Sequence, residues 1–268
     1  MAKLRVALAK SWPSLLVLSL LGLVYVLPPD TSLGEVRGAG VLRACMPPAY
    51  PPLVTGDENA PGIDVELLRA VAREMRVELA IATNQAMGRD FNPRNWRVTR
   101  AQCQVLAGGV VASQTTRSFL DTTQAHAETG WALISPAPLD DWKDKRIGVL
   151  AGISGLDRLA LSGLLRARQA RVGVVQNADD LAKGLREGRF AAAVTERLLA
   201  EEIAAANGWK VEWMPAELPR YDLVFGLWKG DLTLKRAIVA ALAKLGASGE
   251  TRGIVARYAS EAAATRGG

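Results

Sequence analysis

Residues 64–82 read DVELLRAVAREMRVELAIA, and two different periods meet inside that stretch. Over 64–75 the residues Val65, Leu68, Val71, Ala72 and Met75 fall on one helical stripe with acids and bases opposite, which predicts an amphipathic helix. Residues 77–82 then read as a short strand, and residues 41–45 (VLRAC) form an apolar run of the same kind upstream. Strand, helix, strand in this order is a βα unit, the building block of a largely parallel sheet.

The pattern continues outward in both directions. Residues 105–112 predict a further strand, and the pair Gly108-Gly109 within it predicts a close approach of backbone. A second block opens near Trp142. Its expected order is a strand at 146–150, a tight turn at 152–155, a helix at 156–168 and a strand at 172–175. Asp179 or Asp180 is then expected to cap a helix running to Arg186, followed by a strand at 191–195 and a helix at 198–206 closed by Asn207-Gly208. A strand at 223–228 and helices at 232–245 and 251–258 complete the chain. Two similar α/β blocks joined by more than one crossing predict a hinged, two-lobed molecule. The first lobe is expected over residues 36–124 and 226–268, the second over residues 125–225.

Length and composition agree with this reading. The chain has 268 residues, 49% hydrophobic and 22% charged, which is the composition of a folded protein with true cores, sized for one large domain or two lobes. One His and two Cys leave too few ligands for a His-rich or multi-Cys zinc centre, so no metal and no cofactor is expected. A net charge of +6 raises the possibility of nucleic acid, but bases and acids interleave (Glu66, Arg69, Arg73, Glu74, Arg76, Glu78) and aromatics are only 6%. The expectation is therefore no nucleic-acid partner.

The first residues carry Lys3, Arg5 and Lys10, and no charge follows from Ser11 to Pro29. The apolar core of that run, residues 12–27 (WPSLLVLSLLGLVYVL), would span about 24 Å as a helix at ~1.5 Å per residue. That is short for a membrane span and long for the apolar part of a signal peptide. No A-x-A triplet follows it, the nearest small-x-small triplets being Ser32-Leu33-Gly34 and Gly38-Ala39-Gly40. Residues 1–35 are thus expected to be a signal or anchor segment, with an uncleaved membrane anchor through residues 12–27 the favoured form. The preceding positive charges place the body outside the cytoplasm. In that oxidising compartment Cys45 and Cys103, both at the edges of expected strands, are expected to form a disulfide; the alternative is two buried thiols.

Several short motifs, taken in order, resemble the family 3 extracytoplasmic solute-binding proteins, the polar amino-acid receptors of ABC importers. They are Val41-Leu42-Arg43-Ala44 with Tyr50-Pro51-Pro52-Leu53, then Gly62-Ile63-Asp64-Val65-Glu66-Leu67, Thr115-Thr116-Arg117, residues 140–154 (DDWKDKRIGVLAGIS), and residues 188–196 (GRFAAAVTE). The resemblance covers about residues 40–258 and implies an α/β, two-lobed type II periplasmic-binding fold with two hinge crossings, preceded by one N-terminal hydrophobic helix. It implies binding rather than catalysis, with an amino acid or carboxylate held between the lobes and an inner-membrane permease as partner. The implied ligand residues are Arg117 for the carboxylate, Glu196 for the ammonium, backbone near Ser154 and Gly155 as a second anion site, and Thr115 and Tyr50 beside them. A guanidinium fork suits a carboxylate bidentately, and N–H groups at a helix start favour an anion.

The chain departs from the family pattern at Gln104, Ala192, Leu53 and Ala125-His126, and at Glu196, where a shorter Asp is usual. The stretch from Gly109 to Arg117 is also one residue longer than in the family pattern. The cysteine pair carries a second resemblance, to the periplasmic solute-binding-like proteins that accompany PQQ-dependent alcohol dehydrogenases. That likeness implies an accessory subunit beside an enzyme complex, with no ligand chemistry of its own. Plain structural roles compete at each position: Arg117 as a solvated charge, Glu196 as a favourable charge at a helix N-terminus, His126 as a hinge residue. No G-x-S-x-G, P-loop, Rossmann or HExxH motif is present, so an enzyme is the weakest reading.

Overall fold

The computed structural model describes residues 16–19, 30–87, 92–150 and 156–258. Two five-stranded sheets and one two-stranded sheet organise the chain. The first sheet has the order β2-β1-β3-β12-β4, with β1 at Val41–Met46, β2 at Glu78–Thr83, β3 at Val105–Leu106, β4 at Leu120–Thr122 and β12 at Gly226–Trp228. Within it β1 runs parallel to β2 and β3, while β12 is antiparallel to its neighbours β3 and β4. The second sheet has the order β10-β6-β9-β7-β8, comprising β6 at Trp131–Ser135, β7 at Arg146–Val149, β8 at Arg171–Val174, β9 at Ala192–Glu196 and β10 at Lys210–Trp213. Between them β5 (Ala127–Thr129) and β11 (Tyr221–Leu223) pair antiparallel, Ala127 opposite Leu223 and Thr129 opposite Tyr221. The chain therefore passes between the sheets twice, through β5 and back through β11, and the two crossings are hydrogen-bonded to each other.

Helices cover the first sheet on one face: α1 (Ser32–Ala39), α2 (Ile63–Met75), α7 (Leu232–Ala247) and α8 (Glu250–Tyr258). The stripe read from the sequence of α2 is the buried one, with Val65, Leu68, Val71, Ala72 and Met75 all inside. Beneath the other face lies a smaller cluster of Cys45, Met87, Trp96, Cys103, Leu106, Val110, Leu120 and Val224. The central strands of the second sheet, β6, β9 and most of β7, are buried on both sides, and the period of two is explicit in β6. Trp131 and Leu133 face a core with Ile147, Leu161 and Leu165, whereas Ala132 and Ile134 face one with Leu181, Phe190 and Ile203. On that second face the ring of Phe190 lies where side chains at Gly148, Gly173 and Gly184 would be, since a Cβ at any of them would come within 2.8, 2.6 and 2.4 Å of it. Only glycine fits there.

Some local expectations change. The expected strand over 105–112 is confined to Val105–Leu106, because Gly108 (φ 80°) and Gly109 (φ 95°) turn the chain away. The expected strand over 223–228 divides into β11 and β12, one in the hinge pair and one in the first sheet. The helix Ala178–Arg186 is capped by Asn177, whose side chain accepts the N–H of Asp180, rather than by either aspartate. The turn expected at 152–155 and most of the apolar segment 12–27 lie outside the described residues. No helix among the described residues is long and apolar enough to cross a membrane.

Cys45 and Cys103 are disulfide-bonded with Cα atoms 5.6 Å apart, joining the end of β1 to the segment that enters β3. The bond closes a loop of 58 residues that includes α2, β2 and the excursion through Trp96. Loop-closure entropy for that separation amounts to about 4 kcal/mol in the unfolded chain. The double substitution Cys45→Ser, Cys103→Ser is expected to lower the urea-unfolding free energy by up to about that amount, read from the midpoint at unchanged slope.

Candidate functional site

Asp64 stands in the first turn of α2 and has no exposed surface. One carboxylate oxygen accepts the backbone N–H groups of Gly108 (2.6 Å) and Gly109 (3.3 Å), and the other lies 2.7 Å from Nε2 of His126. His126 leads into β5, donates its own N–H to the carbonyl of Leu223 in β11, and stacks its ring on Phe225 at 4.6 Å. One buried carboxylate thus ties a helix start, the glycine turn after β3 and the hinge strands together. The glycines are needed because a Cβ at Gly108 would sit 2.4 Å from Pro47 and one at Gly109 would sit 2.6 Å from the ring of Tyr50.

The same glycine turn therefore seats Tyr50. Burial pushes its phenol well above the ordinary range, and the carboxylates of Glu196 and Asp64 push it further. Tyr50 belongs to the first lobe and Glu196 to the second, so the charge of one is felt electrostatically by the other. Glu196 ends β9 and caps helix α6 (Arg197–Asn207): its carboxylate accepts the N–H of Leu199 at 3.0 Å and the hydroxyl of Thr129 in β5. It is 4% exposed. Burial raises its pKa, and the hydrogen bonds from Thr129 and from the helix N–H groups draw it partly back.

The next two residues extend the contact. Arg197 is buried, ion-paired with Glu201 at 2.5 Å, and stacked over Trp213 at 4.7 Å. Leu198, 1% exposed, joins the apolar cluster that is otherwise built from the first lobe and the hinge strands. It is the second lobe's contribution to that cluster.

The remaining expected residues are placed differently. Ser113 caps the short helix α3 (Gln114–Phe119) through the N–H of Thr116, which is buried, while Thr115 and Arg117 on either side are exposed. Consecutive residues of a helix point about 100° apart, so with Thr116 turned inward its neighbours Thr115 and Arg117 face away. The backbone N–H of Arg117 donates to the carbonyl of Ser113, and its guanidinium forms no hydrogen bond or ion pair among the described residues. Ser154 and Gly155 lie outside the described residues. Gln104 exchanges hydrogen bonds with the backbone of Arg43 and so has a structural role. A shallow apolar hollow lined by Met46, Val54, Pro61, Val65 and Ile81 contains none of the expected residues. No group of three or more His, Cys, Asp or Glu able to hold a metal occurs among the described residues. The Asp64–His126 pair, Thr129 and Leu198 are absent from the sequence-based site; the Gly108-Gly109 pair and the single His were the available signals.

The model of the bacterial extracellular solute-binding proteins, family 3, matches residues 42–261, and the chain belongs to that family. Three solved structures share the fold. An ancestral cationic amino acid solute-binding protein (AncCDT-1) is 18% identical, with a TM-score of 0.70 over 85% of this chain and 99% of that one. The second substrate-binding domain of a putative amino acid ABC transporter from Streptococcus pneumoniae is 17% identical, with a TM-score of 0.66 over 82% and 100%. Tv2483 bound to L-arginine is 15% identical, with a TM-score of 0.63 over 86% and 95%. No curated protein matches. The architecture is accordingly the two-lobed periplasmic-binding fold, with β5 and β11 as its two crossings.

Asp64→Ala should remove the acceptor for two buried N–H groups and for His126 together. The expected cost is about 3–5 kcal/mol, read by urea unfolding, whereas Arg117→Ala should change stability by less than about 0.5 kcal/mol. Glu196 gives a pH signature. A carboxyl whose folded pKa is raised contributes stability present below its unfolded pKa and lost as pH rises through the folded value. Stability of the unliganded protein should therefore decline as pH rises above the ordinary carboxylate range, and Glu196→Gln should flatten that decline.

Proposed function

We propose that this protein captures a small amino acid or related carboxylate between its two lobes, outside the cytoplasm, for delivery to an inner-membrane permease. The observation that carries the reading is the buried Glu196 carboxylate at the end of β9, held between Thr129 of the first crossing and the start of α6. In this reading Glu196 takes the ligand's ammonium and the exposed guanidinium of Arg117 closes on its carboxylate. Thr115 and the backbone at Ser154 and Gly155 assist. The moving bodies are residues 36–124 with 226–268 and residues 125–225, and residues 12–27 hold the protein at the membrane. The role is binding rather than catalysis, and needs no cofactor. Structural relatives described as binding cationic amino acids and L-arginine make basic amino acids the first ligands to test.

Charge linkage provides the decisive measurement. An ammonium beside Glu196 favours its ionised form, so binding releases a proton and affinity should rise with pH through that titration. A simple carboxylate should not show this rise. Arg117→Ala should weaken both ligand classes roughly tenfold or more, and Glu196→Gln should weaken amino acids selectively. Thermal shift is sufficient, because a ligand at 100 times its Kd adds roughly 2.7 kcal/mol.

One observation favours a second reading. Leu198 crosses from the second lobe into the apolar cluster of the first, a contact that joins the lobes through aliphatic side chains alone. The fold would then serve as an accessory subunit beside a periplasmic or membrane-bound enzyme complex, such as a quinoprotein dehydrogenase. If no amino acid or carboxylate binds at millimolar concentration, the capture reading fails and this one replaces it.

A further inference from the structure

The second sheet ends at β8, and no described strand pairs with its outer side. Arg171 donates its N–H to Lys145, and Val175 donates its N–H to Val149, both toward β7. With the period of two, the N–H and C=O groups of Val172 and Val174 face away from the sheet, toward solvent. The side chains of these valines are themselves 49% and 67% exposed. Leu159 on α4 (Arg158–Ala167), the helix packed on β8, is 86% exposed. A bare edge with apolar side chains beside it is the arrangement that folded proteins ordinarily block with charge, proline or a covering segment.

The two faces of this edge differ in chemistry. In the register of β7 and β8, Ile147 stands opposite Val172 and Val149 opposite Val174, so one face is aliphatic. On the other face Arg146 stands opposite Arg171, and the Arg146 guanidinium lies over Phe190. The ion pair of Arg171 with Asp144 is fully at the surface, 72% and 65% exposed, and such pairs exchange readily for another carboxylate. A strand added beside β8 would place alternate side chains against valines on one side and against arginine on the other. We propose that the outer edge of β8 is a strand-addition site for an extended segment of a partner protein in which apolar and acidic residues alternate. Backbone pairing would supply affinity, and the two-faced pattern would set register and choice of partner. A lipid surface fits less well, because it offers no partners to the outward N–H and C=O groups.

The test uses the full-length protein and a short fluorescein-labelled peptide in which valine and glutamate alternate, read by anisotropy. Controls are a peptide of the same composition with the two residues in blocks, and one alternating valine with lysine. Only the valine–glutamate alternation should bind. Val174→Pro removes an outward N–H while leaving the ladder to β7 intact, so binding should fall at least roughly tenfold at an unchanged melting temperature. Arg171→Glu, at an exposed position, should weaken binding similarly and favour the lysine peptide. Saturable binding with this pattern, in the presence or absence of amino acids, supports the site independently of ligand capture in the cleft. Absence of binding at millimolar peptide, equal binding of the block peptide, or unchanged binding by both variants would overturn it. Adsorption to anionic phospholipid vesicles without peptide binding would also overturn it, in favour of a lipid contact.

Discussion

The buried carboxylate of Asp64 is the joint on which the two-lobed arrangement depends. It is held by two backbone N–H groups and a histidine, all within the protein interior, where a charge without such partners would be very costly. Each partner belongs to a different part of the chain: the glycine turn after β3, and the strand that leaves for the second lobe. Because Asp64 sits in the first turn of α2, its charge also lies at the favourable end of that helix. The position of the first crossing is therefore referred directly to the core of the first lobe. His126 stacked on Phe225 extends the same tie to the returning strand.

From that joint outward, the contacts between lobes are of two opposed kinds. Glu196 is a buried acid whose ionisation burial disfavours, and its charge adds to what holds the Tyr50 phenol neutral. Leu198, two residues beyond Glu196, places aliphatic surface against the first lobe. The first kind of contact awaits a positive group; the second needs none. Whether the lobes open depends on the balance of these terms, and a ligand shifts that balance only through contacts it makes better in one state than in the other.

The disulfide and the glycine bed under Phe190 perform comparable tasks in the two lobes with different means. In the first lobe an excursion between β2 and β3 is held by the Cys45–Cys103 bond, with Trp96 and Met87 beside it. In the second, a single aromatic ring occupies the space left by three glycines, pressing β7, β8 and the helix Ala178–Arg186 together. Among the described residues, no strand covers the outer side of β8.

The sequence alone determined whatever is periodic or local. The stripe on α2, the strands β1, β2 and β7 to β9, the cap at Gly208 and the family all follow from spacing and motif order, because side chains at fixed intervals along a helix or strand must share a face. The disulfide was legible from compartment and strand edges. Tertiary structure alone decided which distant groups meet: Asp64 with His126, Glu196 with Thr129, Leu198 with the first lobe. It also set the phase of Arg117, since each step along a short helix turns a side chain by about 100° and no local pattern records which residue of that helix faces inward. The strands β5, β6 and β10 escaped the sequence reading for a related reason. They are short, and their identity rests on neighbours 59 or more residues away in the chain, so pairing across that distance and not any local period makes them strands.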